Sequence, residues 1–489
     1  YPKFLVWDMV AAHRYNLSFT YPVDVNLPVR QDVQTIRYRL GASLSKARIT
    51  MYIPFSRRMH MDYRMNENTV ANARAAALSR VFVQSPPWNP PAEARKVARR
   101  AAHMLATQVG AEEHDLDQLL RGFPAAKKEL YGKAIGEPLD LPRHARVEGF
   151  VKAEYCKYKT PWKPRAIQFR DPHYLAHCLS WMKPLEHAFY AGRYLFNRRQ
   201  EWTCAKGMNS VRRMQYIEQL VSELDVPYCI GLDGSAFDAH VCPGALRMEW
   251  GFHEQCLRAA GYSSATLRKV RQMGRCQLKN HVRFRCIDGT LKYKVEGNRM
   301  SGDLNTGYGN SVLQSIFIAT AMRVCGLPDE DWRMLVDGDD AVLLVEGKWR
   351  ELVRAQLPGV FQLFSQDLKI EGPFRVSADN LEEIEFCQSR PVRIGGQWRL
   401  IRNPFKVINT YSRSYRWFKD VSMSKRYFAT IAPPELVYNA GVPVLEAYFN
   451  LLHMHGVGSK PLPSVARRWW YNNAEVVLNP DEELSVETR

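Results

Sequence analysis

"LVDGDDAVLLVEG", residues 335–347, sets a cluster of acids between two apolar runs. The runs read as paired strands, and an Asp-Gly step between them is a strong hairpin signal. Asp337, Asp339 and Asp340 therefore have two readings, as turn formers or as carboxylates gathered to hold metal. The stretch alone weighs equally for both, and the decision lies in what surrounds it.

Upstream, "CIGLDGSAFDAH" runs an apolar strand from Tyr228 to Leu232 into Asp233, and Asp238 follows five residues later. A strand-end carboxylate beside the acidic hairpin makes a pair able to hold two divalent ions. Two such ions, about 3.5–4 Å apart, clamp the attacking and leaving oxygens of an in-line phosphoryl transfer. Mg²⁺ takes one or two carboxylates plus phosphates and water, so few protein ligands suffice. Asp233 and Asp339 are the main ligand candidates, Asp340 supports them, and Asp337 reads as a turn former. Between these segments, "SGDLNTGYGN" (301–310) places Ser301 and Gly302 in a tight loop before a long helix. Thr306 lies in the first turn of that helix and Asn310 one turn on. Small residues let a backbone approach a sugar closely, and hydroxyl and amide groups can read a 2′-OH. A polar helix cap explains the same residues without any ligand.

Composition agrees with a polyanionic partner. The 489 residues carry 68 Lys+Arg against 50 Asp+Glu, a net charge of +18, and 46% are hydrophobic. That is a folded, basic chain, and nucleic acid is the expected ligand, with an anionic membrane surface or plain solubility as the alternative. The ten cysteines begin at Cys156 and form no C-x-x-C pair, which fits a reducing compartment rather than a disulfide framework. His453 and His455 have no accompanying ligand cluster and read as structural. No run reaches the roughly 18–20 apolar residues of a membrane span, and no signal-peptide pattern opens the chain, whose first residue is Tyr1.

The organisation is α+β. "SPPWNPP" (85–91) reads as a rigid linker, with Asn89 capping a helix through "AEARKVARRAAHMLATQ" whose Arg95, Lys96, Arg99 and Arg100 form a basic face. That face either touches phosphates or is simply solvated. Short strands follow from about 145, then a helix in "GALRMEWGFHEQCLRAAG" and a hairpin turning at Asp288-Gly289. Over 306–324, Val312, Leu313, Ile316, Phe317 and Val324 share one helical face.

Taken together, the segments resemble the palm motifs of viral RNA-dependent RNA polymerases. D-x-S-x-F-D-x-H at 233–240 looks like motif A, S-G-x-x-x-T-x-x-x-N at 301–310 like motif B and G-D-D at 338–340 like motif C. At roughly 5% usage per residue type, G-D-D alone arises in about one chain in twenty of this length. The ordered set of three is therefore the specific signal. "FPAAKKELYGKA" (123–134), "FVKAEYCKYKTPWKPRAIQFRDPHY" (150–174), "KGMNSVRR" (206–213) and "EFCQSRPV" (385–392) are similar to tombusvirus-like plus-strand RNA virus polymerases, so the resemblance covers about 123–405. Phe169 departs from it, standing where a small residue or proline is expected.

The resemblance implies a closed right hand, fingers linked to thumb, with an antiparallel palm sheet flanked by helices. It divides the chain into an N-terminal extension of the fingers (1–115), fingers with a basic nucleotide-entry loop (116–225), palm (226–250), a fingers insertion with a hairpin (251–295), palm (296–390), and thumb with a C-terminal tail (391–489). It implies RNA synthesis from NTPs on an RNA template, with Mg²⁺ as cofactor and Mn²⁺ able to substitute. Asp238, Ser301, Thr306 and Asn310 would select the ribose. Lys152, Lys163, Arg165 and Arg170 would hold the triphosphate, where charge develops on the leaving pyrophosphate. Lys369 would be a general acid, or else an exposed strand-end lysine. Gly302, Phe386 and Cys387 would contact template and primer, although core packing explains the last two nearly as well. Trp469, Trp470 and Tyr471 would stack a first nucleotide or pack the thumb.

The partners implied are template and product RNA, NTPs and a viral auxiliary protein supplying membrane attachment. The implied location is a membrane-associated replication complex in host cytoplasm. A reverse transcriptase is the nearest rival, but it would place a bulky aromatic at position 238, where Asp238 offers an acceptor for a 2′-OH. A catalytically dead RNA-binding scaffold would have no need to keep Asp233, Asp339 and Asp340.

Overall fold

The structure, a computed structural model, describes residues 13–15, 29–41, 51–53, 63–109, 116–120, 123, 125–157, 163–412, 414, 417–418 and 420–462. Alternating burial marks its first sheet. In β5 (Lys279–Cys286) every second residue is buried and the others are exposed, and β6 (Gly289–Glu296) continues the pattern, as a half-buried strand requires. The hairpin between them turns at Ile287-Asp288, one residue earlier than expected, because Gly289 already pairs with Cys286. Together with β1 (Arg37–Leu40), β2 (Val147–Val151) and β3 (Ala166–Arg170) they form five strands in the order β1-β6-β5-β2-β3, with β2 and β5 parallel and the other pairs antiparallel. One face packs Val282, Phe284, Leu291, Tyr293 and Val295 against α1 (Val70–Arg80). Among the described residues, the side chains of the other face are largely exposed.

The second sheet is largely buried on both faces. Its order is β7-β8-β4-β9, all antiparallel, from β7 (Trp332–Asp337), β8 (Asp340–Glu346), β4 (Pro227–Gly234) and β9 (Leu368–Arg375). Leu343 and Val345 of β8 face a helical layer, while Val342 and Leu344 face a second layer that includes α4 (Ser210–Ser222). Burial on both sides explains why "LVDGDDAVLLVEG" reads as continuous apolar runs rather than alternating ones. The helical layer contains α2 (Ala92–Ala106), α3 (Pro172–Ala191), α5 (Pro243–Ala259), α6 (Ser264–Leu278), α8 (Arg350–Leu363) and, at its centre, α7 (Thr306–Val324). From Tyr308 to Met322 every residue of α7 is buried, so it is a core helix rather than a one-sided one. Val324, expected on the buried face, lies in the last turn and is exposed.

The segment 85–91 is a strap rather than a spacer. Trp88 packs edge-to-face on Phe364 and lies so close to Gly244 that a Cβ there would collide with its indole. Asn89 does not cap the helix. Pro91 precedes its first residue, and the Asn89 N–H bonds to the Leu363 carbonyl. After the second sheet, β10 (Ser389–Ile394) and β11 (Gln397–Arg402) form a hairpin. Beyond it, α9 (Pro404–Tyr411), α10 (Val421–Tyr438) and α11 (Leu445–Gly456) close around their own core. Trp469, Trp470 and Tyr471 lie outside the described residues.

Candidate active site

Sheet register gathers the acids. β4 is flanked by β8 and β9, with Leu232 opposite both Ala341 and Ile370. One step on, Asp233 faces Lys369 across β9, and Asp340 begins β8 on the other side. Asp340 pairs across the hairpin with Asp337, leaving Gly338-Asp339 as a two-residue turn. Gly338 has φ 74°, and glycine supplies that positive φ at the first turn position without strain. The Gly338 N–H donates to Ser311 Oγ of α7 at 2.9 Å, which pins the turn to the buried helix.

The electrostatics separate Asp337 from its neighbours. Asp337 ion-pairs with Lys206 and with Arg213 (2.6 Å). Burial alone would raise its carboxyl, but those two cations outweigh burial and hold it below the usual carboxylate range. Asp340 goes the other way, pushed up to about 6 by burial and then by the negative charges of Asp339, Asp337 and Asp233. Burial also raises Asp339. Among the described residues, Asp233, Asp339 and Asp340 make no ion pair. Carboxylates gathered at one sheet end without an ion-pair partner, two of them raised by burial, fit a divalent metal. These three would hold it.

Beside them, Asp238 sits in a short turn of helix and accepts a hydrogen bond from Asn310 Nδ2 at 2.8 Å. Asn310 Oδ1 accepts in turn from Arg299 Nε at 2.9 Å, and the Arg299 guanidinium is paired with Glu249 at 2.5 Å. Both partners of that ion pair are fully buried. Asn305 Nδ2 donates to Glu249 at 2.6 Å. The arrangement fixes which way the Asn310 amide points, because its oxygen must meet the arginine and its nitrogen the carboxylate. It needs glycine at 309, where a Cβ would run into the Glu249 carboxylate.

A sequence profile of the family described as "Viral RNA dependent RNA polymerase" matches residues 37–475. The chain belongs to that family. It is 30% identical over 349 residues to the RNA-directed RNA polymerase of Cymbidium ringspot virus, covering 70% of this chain and 41% of the relative. For the enzyme of Tomato bushy stunt virus (strain Cherry) the figures are 29% over 378 residues, 76% and 44%. For that of Groundnut rosette virus (strain MC1) they are 27% over 446 residues, 87% and 50%. The chain thus spans half or less of the length of these relatives.

Within this polymerase-family chain the structure redistributes several expected roles. Arg170 was expected at the triphosphate, yet its side chain is wholly buried and binds Asp303 and Asn280. It ties β3 to the 301–310 loop and cannot face a ligand. Lys152, Lys163 and Arg165 do sit at the surface end of β2 and β3, with Lys152 3.3 Å from Glu154. Arg165 is close enough for its charge to act on Asp238 and Asp339. The Ser301 hydroxyl donates to the Ala166 carbonyl at 3.1 Å, and that of Thr306 turns to the Met300 and Asp303 carbonyls, both at 3.0 Å. Both hydroxyl protons point to backbone, so of the four residues expected to read the ribose the side chains joined directly are Asp238 and Asn310, while the Ser301 and Thr306 oxygens keep acceptor capacity only.

Gly302 serves close packing. Its N–H donates to the Gln168 carbonyl at 2.6 Å, and a Cβ would come within 2.7 Å of that oxygen and of Phe169 Cβ. The bulky Phe169 is accommodated because position 302 has no side chain. Phe386 is buried beneath the Arg213 guanidinium, 5.8 Å from its ring centre, so it is a core residue rather than a primer contact. Cys387 is half-buried, with its sulfur 3.5 Å from Arg213.

Single-sequence reading missed Lys206, Arg213, Glu249 and Arg299. "KGMNSVRR" stood out only by resemblance, and nothing local in the sequence links Glu249 to a residue fifty positions away. Among the described residues, one group of three possible metal-ligand atoms lies within 4.8 Å, namely His144, Asp171 and His173. Its donors are already engaged. His173 reaches Asp171 at 2.6 Å and Glu137 at 2.7 Å, and its ring stacks on His144. No helix among the described residues is long and apolar enough to cross a membrane.

Proposed function

We propose that the chain is the polymerising part of an RNA-directed RNA polymerase, joining nucleoside monophosphates from NTPs to an RNA 3′-OH under the direction of an RNA template. The observation that carries this reading is the convergence of Asp233, Asp339 and Asp340 at one sheet end, with Asp238 and Asn310 paired beside them. Mg²⁺, with Mn²⁺ as substitute, would supply Lewis-acid stabilisation of the attacking 3′-oxygen and the leaving pyrophosphate.

The protein's own part is positional. Asp233 holds the site from β4 and Asp339 from the turn between β7 and β8, and Asp340 supports them. Asp238 accepts from the ribose 2′-OH through the carboxylate oxygen that Asn310 leaves free. That acceptor, in place of a bulky side chain, favours a ribonucleotide over a reverse-transcriptase substrate. Lys152, Lys163 and Arg165 approach the triphosphate, and Lys369, exposed opposite Asp233, delivers a proton to pyrophosphate as it departs.

In this reading the second sheet with α7 is the palm, the five-stranded sheet belongs to the fingers, and residues after 390 form the thumb, closed onto the fingers. An auxiliary viral protein attaches the assembly to host membranes in the cytoplasm. The test is synthesis by purified protein given an RNA template, four NTPs and Mg²⁺. The wild type makes labelled product and Asp339→Ala does not; product from Asp339→Ala would overturn the metal assignment.

A further inference from the structure

Two successive hairpin turns in this chain are built from different residues. β10 and β11 are joined by Gly395-Gly396, with φ 57° and 83°, values that glycine takes without strain. Just before β10, Phe386 and Ser389 exchange backbone hydrogen bonds at 3.0 Å around a second two-residue turn, whose central residues are Cys387 and Gln388. Their φ values are 52° and 62°. Both sit in the left-handed region that residues with side chains rarely adopt, in a kind of turn that favours Asn-Gly. Strain of this kind persists only where the surroundings hold it, and it gathers at functional sites.

What holds this turn is Arg213, near the start of α4. Each of its three nitrogens has its own partner. Nε donates to the Met208 carbonyl at 3.1 Å, Nη1 to the Cys387 sulfur at 3.5 Å, and Nη2 meets Asp337 Oδ2 at 2.6 Å. On the other side, Lys406 of α9 donates to Gln388 Oε1. Burial, and then the Asp337 charge, push the Cys387 thiol up to about 12, so a neutral thiol lies against the guanidinium. The segment leading to Arg213 is itself fixed to β7. The Ala205 N–H donates to the Val336 carbonyl at 2.8 Å, and the Val336 N–H to that of Thr203 at 2.9 Å. Asp337, next along β7, pairs with Asp340 across the turn that carries Asp339. A planar guanidinium with three fixed partners sets a direction as well as a distance. A merely solvated cation would set neither.

We propose that Arg213 is a positioning residue for the metal-holding carboxylates: it ties the turn at 337–340 to the turn at 386–389, so that Asp339 and Asp340 keep one orientation. Cys387 retains a side chain where glycine would be relaxed, because its sulfur completes the clamp. This role rests on the polymerase reading, but it is measured partly without catalysis.

The experiment compares full-chain variants by steady-state incorporation at saturating Mg²⁺, by Mn²⁺ calorimetry without RNA or NTPs, and by melting temperature. Arg213→Lys keeps the charge but cannot serve three partners, and Cys387→Gly leaves the charge in place while relaxing the backbone. Both lower kcat roughly tenfold, equivalent to about 1.4 kcal/mol of barrier, with KM for NTP changed less, and both weaken Mn²⁺ binding. Cys387→Gly nevertheless melts no lower than wild type, the opposite sign to its loss of rate. Cys387→Ser, which keeps a side-chain acceptor, retains the rate. Arg212→Met, whose guanidinium lies over Trp202 instead, behaves as wild type. A purely structural turn would leave kcat and Mn²⁺ affinity unchanged in Cys387→Gly, and that result overturns the proposal. So does a Cys387→Gly melting temperature that falls together with kcat, or an equal loss in Arg212→Met. Wild type that binds Mn²⁺ yet never polymerises defeats the polymerase reading, and the Mn²⁺ comparison still decides the clamp. Wild type that binds no Mn²⁺ defeats both.

Discussion

Replacing Arg299 with methionine tests the ribose-reading arrangement at its most concealed point. The guanidinium makes three bonds inside a fully buried pocket, two to Glu249 at 2.5 and 3.3 Å and one to Asn310 at 2.9 Å. After Arg299→Met, Glu249 keeps Asn305 but loses its counter-charge, leaving a carboxylate stranded out of water. Breaking a buried pair from one side costs about 3–5 kcal/mol, a large share of the roughly 5–15 kcal/mol that holds a protein folded. The double variant Glu249→Gln/Arg299→Met removes both charges and recovers most of that loss. Urea unfolding midpoints at matched slope are the assay. If Arg299→Met is no less stable than the double variant, the pair is not the buried bracket described. Arg299→Lys adds the functional arm. It keeps a charge for Glu249 but loses the Nε donor to Asn310, and one lost hydrogen bond is about 0.5–1.5 kcal/mol. Discrimination between UTP and dUTP, read as the ratio of kcat/KM values, then falls up to roughly tenfold while kcat for UTP changes less. Unaltered discrimination would show that Arg299 does not orient Asn310.

Asp340 holds its proton up to about pH 6, so the native site binds more protons than the unfolded chain, and metal-free stability falls as pH rises from the ordinary carboxylate range through about 6. Thermal melts therefore show Mg²⁺ stabilising the chain more at about pH 7.5 than at about pH 5, and Asp340→Asn flattens the metal-free pH dependence. Gly302→Ala forces a methyl against the Gln168 carbonyl. It costs about 1–3 kcal/mol by overpacking, read as a lowered unfolding midpoint together with reduced synthesis. Asp238→Ala abolishes most ribonucleotide preference while leaving misincorporation of dNTPs measurable in the same primer-extension assay. Lys206→Met leaves Asp337 with Arg213 alone and withdraws a positive charge that lowers Asp340; titration followed by carboxylate NMR shows the Asp340 value rising further.

The acid hairpin was legible because two signals coincided there, the Asp-Gly turn and the apolar runs, and both follow from local geometry. The strand before Asp233 and the helix after Ser301 were legible for the same reason. Arg170 was misread because a cation in a basic stretch looks the same whether it faces a phosphate or Asp303. Only burial tells them apart, and burial is a property of the fold. The backbone bonds of the Ser301 and Thr306 hydroxyls were not legible either, since nothing in the sequence says whether a hydroxyl donates to a ligand or to a backbone carbonyl. The Glu249–Arg299 bracket joins positions on different elements, and its sequence trace is one glycine, Gly309, which carries no local signal of its own. Asp337 was half-read. Its place before the turn was clear, but its two cations come from a segment some 130 residues upstream.

The strap at 85–91 bears on where the chain can be cut. Trp88 is wedged between the start of α5 and the end of α8, and the helix that follows it, α2, buries Ala94, Val97, Ala101 and Leu105 in the same core as α7. A fragment beginning near residue 123, where the quoted motif stretches start although the family profile already matches from residue 37, would start life with that seam open. Trimming for expression or crystallisation therefore has a natural limit ahead of Trp88. Proteases acting on the folded chain would be expected to spare this segment, although its prolines make it look like a hinge.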